Sequence, residues 1–568
     1  MEWIKRKPKI EYLNSEDITS KLAKIRGIQE NEIDDFLMPT EKELFDANEM
    51  KNSQKAVNRI IEAINENQKV AVSVDSDVDG ITSSAIMIRY LRNYIDNVNY
   101  IYHQREDGHG VYSQIKDVVE EGDRQDLNDR NREIVSNSDL LIILDSSSND
   151  FRGIEEVHKL NKDIDIIILD HHQIEWEEEG RDMNDLAILV NPQQEDCEYP
   201  NKHLSGAGVT FKIVELTQSN LPMQKVNVGD YYDLVAVGMV ADLMRMDILE
   251  NRYIVSHGLR NIKNVGLTRI LKGAKQNPNF VSSTTVGFNI APIINGSARM
   301  GEIEHAIEIL LTDDDKVAKK LRLKMDKLNK QRREIQEELT TKYEKMVNLN
   351  DKIIIIFDEE SNSGFNGLVA QNLAQKYQRP AFVLRSHKGM LSGSGRSYAG
   401  FNTKDFLSKL PYVITSGHEQ SHGIAFPEDK LDEVKQFIKD NIKVLKSREP
   451  VVFYDIEISA DEVPQYVEQI ESFNHITGMG FPKIIVKVKD VMITERRVLG
   501  ATRNTIKWDS VEGINLIKFR VDENYGRDVD VFDTVNAVGE VQMNVFYNFA
   551  TKETTRTPQV LLEDYRKV

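Results

Sequence analysis

The stretch KVAVSVDSDVDG, residues 69–80, decides how the chain is read. Its first half is a short β-branched run without polar alternation, the pattern of a strand buried on both faces. Its second half sets Asp75, Asp77 and Asp79 at alternate positions and closes on Gly80. Two later stretches share the form: LLIILD (140–145) ends in Asp145, and IDIIILDHH (164–172) ends in Asp170, His171 and His172. Helical spacing precedes the first of them, over 52–67, and recurs between them. Strands alternating with helices predict a parallel α/β sheet. In such sheets ligands gather beyond the carboxyl ends of the strands, where each of these runs delivers an acid. LVAVGMVADLM (234–244) adds Asp242, although its periodicity does not separate helix from strand. The acids are expected together at the strand ends of one sheet.

A single Asp after a strand is ordinarily a turn or cap residue, and a lone His pair is more often structural than catalytic. Their recurrence at corresponding places is what points to metal. Carboxylate oxygens with imidazole nitrogens suit Mn²⁺, Mg²⁺ or Zn²⁺. Five or six such groups exceed the needs of one ion and would suffice for two, about 4 Å apart, the arrangement used in phosphoryl chemistry. The 75–80 segment also looks like the start of a calcium loop, but the closing Glu is missing.

The wider composition bounds the alternatives. A chain of 568 residues with 40% hydrophobic and 29% charged residues can build several cores, which excludes a mainly disordered or disulfide-stapled protein. The lone Cys197 cannot form an internal disulfide. No run of about 18 apolar residues is present to cross a membrane, and the first residues lack the apolar core of a signal peptide. A cytoplasmic protein with no membrane partner is expected. The net charge of −19 argues against a nucleic-acid partner unless a basic channel lies inside an acidic shell. One local exception stands out: residues 316–333 hold nine basic residues and one acid, Asp326. Such a run is usually a solvated helix face; the sharper reading is a basic connector beside a nucleic-acid path.

Further along, Thr312 or Asp313 can cap a long helix reaching about residue 346. A second α/β unit begins at KIIIIFD (352–358), with a helix over 366–377, a strand at 380–385, Gly-rich turns at 392–397 and 416–423, and a closing helix at 431–445. From residue 451 short β-type stretches without long helices suggest a small barrel or sandwich. The boundaries read as an N-terminal extension (1–48), a first α/β domain (49–311), a connecting helix (312–348), a second α/β domain (349–448) and a β-rich domain (449–568).

As a set, these residues resemble the DHH phosphoesterases, and within them the RecJ-type exonucleases. DSDVDG (75–80) is similar to the family's DxDxDG motif and DHH (170–172) to the motif that names it. Asn191-Pro192, HLSGAGVTFK (203–212), VGMVADLM (237–244), APIINGSARMG (291–301), SGSGRS (392–397) and Gly417-His418 follow in the family's order. The resemblance covers roughly residues 50–430. It implies a parallel-sheet DHH domain, a long connecting helix, a smaller α/β DHHA1 domain and a C-terminal β-barrel of the OB-fold type. It also implies metal ligands at Asp75, Asp77, Asp79, Asp145, His171 and Asp242, with Asp145 bridging two Mn²⁺ or Mg²⁺ ions. His172 would orient His171 or act as acid or base. Arg105, Arg299, Ser394, Gly395, Arg396 and His418 would contact substrate, since guanidinium forks suit phosphate. The chain departs from the family at Ser146–Ser148, at SGHEQSHG (416–423) and at GMGFP (478–482).

Two motif matches mislead. HEQSH (418–422) is formally a zincin signature, but it needs a helix, and its flanks read as loop. GSGRSYAG (393–400) spaces glycines like a nucleotide loop but lacks the strand–turn–helix context and a Lys. The expectation is therefore a 5′→3′ exonuclease that hydrolyses single-stranded DNA to 5′-mononucleotides by two-metal chemistry. It would be a monomer, with a helicase or single-strand-binding protein as a plausible partner. In the C-terminal domain Phe481, Trp508, Phe519 and Tyr525 are candidate base-stacking residues, though each also suits a core. The alternatives are a DHH phosphodiesterase for short oligoribonucleotides or cyclic dinucleotides, and a non-catalytic replication scaffold.

Overall fold

The computed structural model describes the whole chain except residues 117–124, 177–179, 399, 443–450, 501 and 549–552. The chain starts with strand β1 (Glu2–Lys5) and the helix Ile18–Arg26, which Asp17 caps and Gly27 ends in the left-handed region at φ 85°. The first sheet comprises β2 (Val70–Val74), β3 (Val98–Tyr102), β4 (Leu140–Leu144), β5 (Asp165–Leu169) and β6 (Ile188–Val190). All neighbours are parallel, in the order β3-β2-β4-β5-β6. Alternate residues serve two apolar layers. Val70, Val72 and Val74 face helices Ser53–Asn65, Val78–Leu91 and Gly206–Asn220, while Ala71, Leu141 and Ile143 face Gln125–Ser136 and Phe151–Leu160. Two covered faces are why these strands lack polar alternation.

Segment 234–244 is helix, Tyr232–Ala241, with Asp242 as its C-terminal cap. The acids therefore do not all stand at strand ends. This helix is buried nearly all round, which erased the amphipathic period that would have identified it.

The connecting helix runs Asp315–Glu344 and is capped by Asp314, whose side chain accepts from the N–H groups of Lys316 and Val317. The expected caps have other partners: Asp313 pairs with Arg89 at 2.6 Å, and Thr312 Oγ1 accepts from Asp314 N. The second sheet follows with β7 (Ile354–Phe357), β8 (Ala381–His387), β9 (Met390–Arg396), β10 (Ile414–His418) and β11 (Ser421–Pro427) in the order β10-β11-β9-β8-β7. Only β7–β8 is parallel. The helix Ser363–Tyr377 packs against β8 and β9. The Gly-rich segments expected as turns lie largely within these strands. Their glycines serve close approach: a Cβ on Gly395 would press into the Phe382 ring and within 2.8 Å of His422 Nε2. His418 and His422 stand on paired strands of one hairpin rather than on a helix, which removes the zincin reading. The final helix is described over Leu431–Asn441; residues 443–445 of the expected helix lie outside the described residues.

In the C-terminal region β12 (Val451–Tyr454) pairs in parallel with β1. Strands β13 (Ile456–Ser459), β14 (Val486–Leu499), β15 (Thr505–Ser510), β16 (Asn515–Phe519), β17 (Thr534–Asn548) and β18 (Glu553–Lys567) form one sheet in the order β13-β14-β15-β16-β18-β17. β14 also pairs with β17. The expectation of short strands alone is corrected, since three strands reach 14–15 residues and a 12-residue helix, Val463–Asn474, packs beside them. Bulges in β14 let it turn from one partner to the other.

One buried apolar cluster runs from Ile18 through the first sheet to Leu562. Its polar ties are explicit. Arg26 donates to Asp455 and to Lys483 O. Buried Arg252 donates to the carbonyls of Phe36, Met246 and Ile476 and lies over the Phe36 ring, with the Phe481 ring beside it. No described helix is long and apolar enough to cross a membrane.

Candidate metal centre and phosphate site

Asp75 and Asp77 follow the end of β2. Asp77 caps the helix Val78–Leu91, its Oδ1 accepting from Gly80 N at 3.1 Å. Asp79, in the first turn of that helix, accepts from Gly206 N at 2.6 Å and Ala207 N at 3.2 Å, the first amides of Gly206–Asn220. Asp145 follows β4 in the left-handed region, at φ 56°, with its N–H bonded to Leu169 O. Asp is among the few side chains that tolerate this conformation. Gly206 must be glycine here, because a Cβ would fall 2.5 Å from Asp145 Cβ.

Three separate elements converge on His171. Its Nε2 lies 3.2 Å from Asp145 Oδ1, 3.4 Å from Asp242 Oδ2 and 3.9 Å from Asp79 Oδ2. Three overlapping sets, Asp145–His171–His172, Asp79–His171–Asp242 and Asp75–Asp77–Asp145, each bring ligand atoms within 4.8 Å of one another. No lysine or arginine pairs with Asp77, Asp79, Asp145 or Asp242 among the described residues. Burial and the neighbouring Asp77 raise Asp79 to about 6. Burial and the Asp79 charge raise Asp242 to about 8, and the same two causes hold Asp145 well above the usual carboxylate range. Asp145 Oδ1 is buried and accepts no hydrogen bond among the described residues. Crowded carboxylates with an unsatisfied oxygen and an imidazole fit a divalent cation, which would supply the missing positive charge.

Two motif residues act differently from their neighbours. Asp75 is turned to His109 Nδ1 at 3.0 Å and His103 Nε2 at 3.6 Å. Burial opposes its ionisation, but the imidazoles outweigh it and hold the carboxyl at about 2; Asp75 in turn raises His109 to about 9. Asp170 is a holder: its Oδ1 accepts from the backbone of His171 and His172 and from His172 Nδ1 at 2.8 Å, and its Oδ2 accepts from Ser148 N. Although burial works against it, the Asp170 charge raises His172 to about 10. Asn191 completes this brace by donating to His172 O and Ser148 Oγ.

Of the predicted substrate residues, Arg105 and Arg396 lie near enough to Arg299 for their charges to act on it, as does Asp77 of the carboxylate cluster. Arg105 Nη1 donates to Ser76 O, inside the carboxylate turn. Arg299 ends the helix Ala291–Arg299 and donates to Gly364 O. Burial pushes it down to about 9, with Arg105, Arg332 and Arg396 adding repulsion. Arg396 ends β9 and lies against Gly367, and its Nη1 bonds Gly395 O. Ser394 and Gly395 precede it on β9, paired with Gly423 and His422. His418 ends β10, and its side chain lies outside the described residues. Of the four aromatic candidates in the C-terminal region, Trp508 and Phe481 are core, Tyr525 stacks on Trp508, and Phe519 is exposed. His103, His109 and Arg332 were missed by the sequence reading. The first two stand in the HQREDGHG stretch that holds Arg105, and Arg332 stands in the basic run.

The family model for the DHH family, N-terminal domain, matches residues 69–239. The single-stranded-DNA-specific exonuclease RecJ of Bacillus subtilis is 28% identical over 93% of this chain, which spans 65% of that protein's length. A putative SPbeta prophage-derived single-strand DNA-specific exonuclease, YorK, of the same organism is 27% identical, over 96% of this chain and 95% of YorK. The crystal structure of RecJ from Thermus thermophilus in complex with Mn²⁺ superposes with a TM-score of 0.73 over 97% of this chain and 76% of that one, at 22% identity. With the motifs in family order, the carboxylates gathered on His171 and the fold shared along nearly the whole chain, residues 69–239 match the DHH family's N-terminal domain and the chain as a whole is similar to RecJ-type proteins.

Proposed function

We propose that this protein is a metal-dependent exonuclease that hydrolyses single-stranded DNA to 5′-mononucleotides from the 5′ end. The observation that carries the reading is the convergence of Asp79, Asp145 and Asp242 on His171. The names of the relatives support the substrate, and the family resemblance supports the direction. Asp77, Asp79, Asp145, His171 and Asp242 would hold two divalent ions, Mn²⁺ or Mg²⁺, with Asp145 shared and Asp75 set behind them with its two imidazoles. Ions bound there supply Lewis-acid polarisation of phosphoryl oxygens and an activated water.

The protein's own groups do the rest. Asp170 fixes the His172 ring through Nδ1, so that Nε2 is the nitrogen left to face a phosphate or a departing oxygen. Arg105, Arg299 and Arg396 place positive charge where phosphoryl oxygens gain negative charge. Ser394, Gly395 and His418 would line the same strand path from the DHHA1 side. Domain limits of 1–48, 49–311, 312–348, 349–448 and 449–568 fit this division of labour. The return of β14 onto β17 supports an OB-fold-like barrel as the C-terminal strand-holding domain, with Phe519 among its exposed aromatics. We place the enzyme in the cytoplasm, as a monomer that receives single strands from a helicase or single-strand-binding protein.

The test uses single-stranded DNA labelled at either end, with Mn²⁺ present or chelated. Immediate metal-dependent release of labelled mononucleotide from the 5′-labelled strand is expected. Turnover of short RNA or cyclic dinucleotides without DNA cleavage would replace this reading with the small-substrate branch.

A further inference from the structure

The connecting helix carries none of the family-like motifs, yet it brings a fourth guanidinium to the phosphate site. Arg332 is half-buried, with Nε donating to Asn329 Oδ1 at 3.1 Å and Nη1 to Gln336 Oε1 at 3.0 Å. These two neighbours, one turn away on either side, hold the fork and leave Nη2 for a ligand. Asn329 is itself buried against Gly296 of the helix that ends in Arg299, where a Cβ would come within 3.1 Å of it. Arg299 then reaches Gly364 O, while Arg396 lies on Gly367, so both meet the start of the helix Ser363–Tyr377. The Arg332 charge is one of those felt by Arg299.

Arg105, Arg299, Arg332 and Arg396 thus come from four elements, and none pairs with a carboxylate among the described residues. Such like charges repel, in a protein whose net charge is −19. Two other cations of the run do have carboxylate partners: Arg322 pairs with Asp326 and Lys330 with Glu334. From this juxtaposition we propose that Arg332 is a further substrate-positioning residue, binding a phosphate of the strand other than the scissile one. The proposal rests on the nucleic-acid reading above.

Steady-state kinetics of the full chain on a single-stranded oligonucleotide, over a series of salt concentrations, test it. Arg332→Gln should raise KM about tenfold, the value of one charge-assisted contact, and leave kcat within about twofold. The slope of log(1/KM) against log[salt] should become shallower by about 0.7, the loss of one phosphate contact on a single strand. Arg332→Lys should keep the slope, and Lys320→Gln, on the exposed face, should change neither quantity. A lower Tm with reduced kcat and an unchanged slope would make Arg332 structural and overturn the proposal. An Arg332→Gln enzyme indistinguishable from an active wild type would overturn it and leave the nuclease standing. A wild type that neither cleaves nor binds the strand, read by anisotropy, would end both.

Discussion

Gly206→Ala should disable the centre without removing any group that lines it. Gly206 opens the helix Gly206–Asn220, and its N–H holds Asp79 Oδ2. An added Cβ would lie 2.5 Å from Asp145 Cβ, 2.6 Å from its Oδ1 and 2.7 Å from its Cγ. Ordinary carbon contacts are about 3.5–4.0 Å, so roughly 1 Å of movement is forced. Asp145 resists, because its backbone is left-handed and tied to Leu169 O. The helix resists too, since Ser205 caps it through Gly208 N. Alanine gains at most about 1 kcal/mol of helix propensity over glycine, whereas overpacking costs about 1–3 kcal/mol. Net destabilisation of about 2 kcal/mol or less should leave the protein folded. Function is affected more: a 1 Å misplacement costs about 10²-fold in rate, and disturbed ligand support costs about 10–100-fold in metal affinity. Calorimetric Mn²⁺ titration, the exonuclease rate at saturating Mn²⁺ and a thermal melt read the three quantities. A folded variant with unchanged Mn²⁺ affinity and rate would refute the placement of Asp145 in the centre.

Three other outcomes are expected. Asp145→Asn, which tolerates the same left-handed backbone, should keep the melting temperature within a few degrees and lower hydrolysis by at least about 10²–10³-fold; a wild-type rate would remove the ligand role. Burial raises the Asp233 carboxyl from 3.8 to about 6 even though Lys263 and Asn264 donate to it. Its folded form binds the proton more tightly than the unfolded chain, so its contribution is fully present below about pH 3.8 and is lost as pH rises through about 6. Urea unfolding from about pH 4 to 7 should show wild type losing on the order of 3 kcal/mol relative to Asp233→Asn, and a pH-independent difference would contradict this. Arg252→Met should cost roughly 3–5 kcal/mol, because three buried carbonyls lose their donor; unchanged urea unfolding would show that this clamp is not needed.

Arg252 also changes how the C-terminal domain can be studied. The sequence suggests that residues from 451 onward could be removed to isolate strand binding from chemistry. The structure shows β12 paired with β1, Asp455 neutralising Arg26, and Ile476 O bonded to Arg252. Truncation would strip Arg26 of its carboxylate and Arg252 of one of its three carbonyls, so point substitutions at exposed positions such as Phe519 are the cleaner probe.

What the sequence determined by itself is local. Strands covered on both faces have to be apolar throughout, and the chain has to become polar where they end, so Asp75, Asp145, Asp170 and the pair His171–His172 were legible at the edge of a parallel sheet. Motif order then pointed to metal and phosphate chemistry. Tertiary structure decided which of these groups face one another. It turned Asp75 toward His103 and His109, made Asp170 the brace for His172, and brought Asp242 to the centre from a helix whose all-apolar surface carried no period. It also made strands of Gly-rich segments, because those glycines answer neighbours such as the Phe382 ring that adjacent residues do not reveal. Arg332 shows the same limit. Hydrophobic period and backbone bonding are set within a few residues and can be read along the chain, but the meeting of helix Asp315–Glu344 with Arg299 is set by packing between distant segments, which no single stretch encodes.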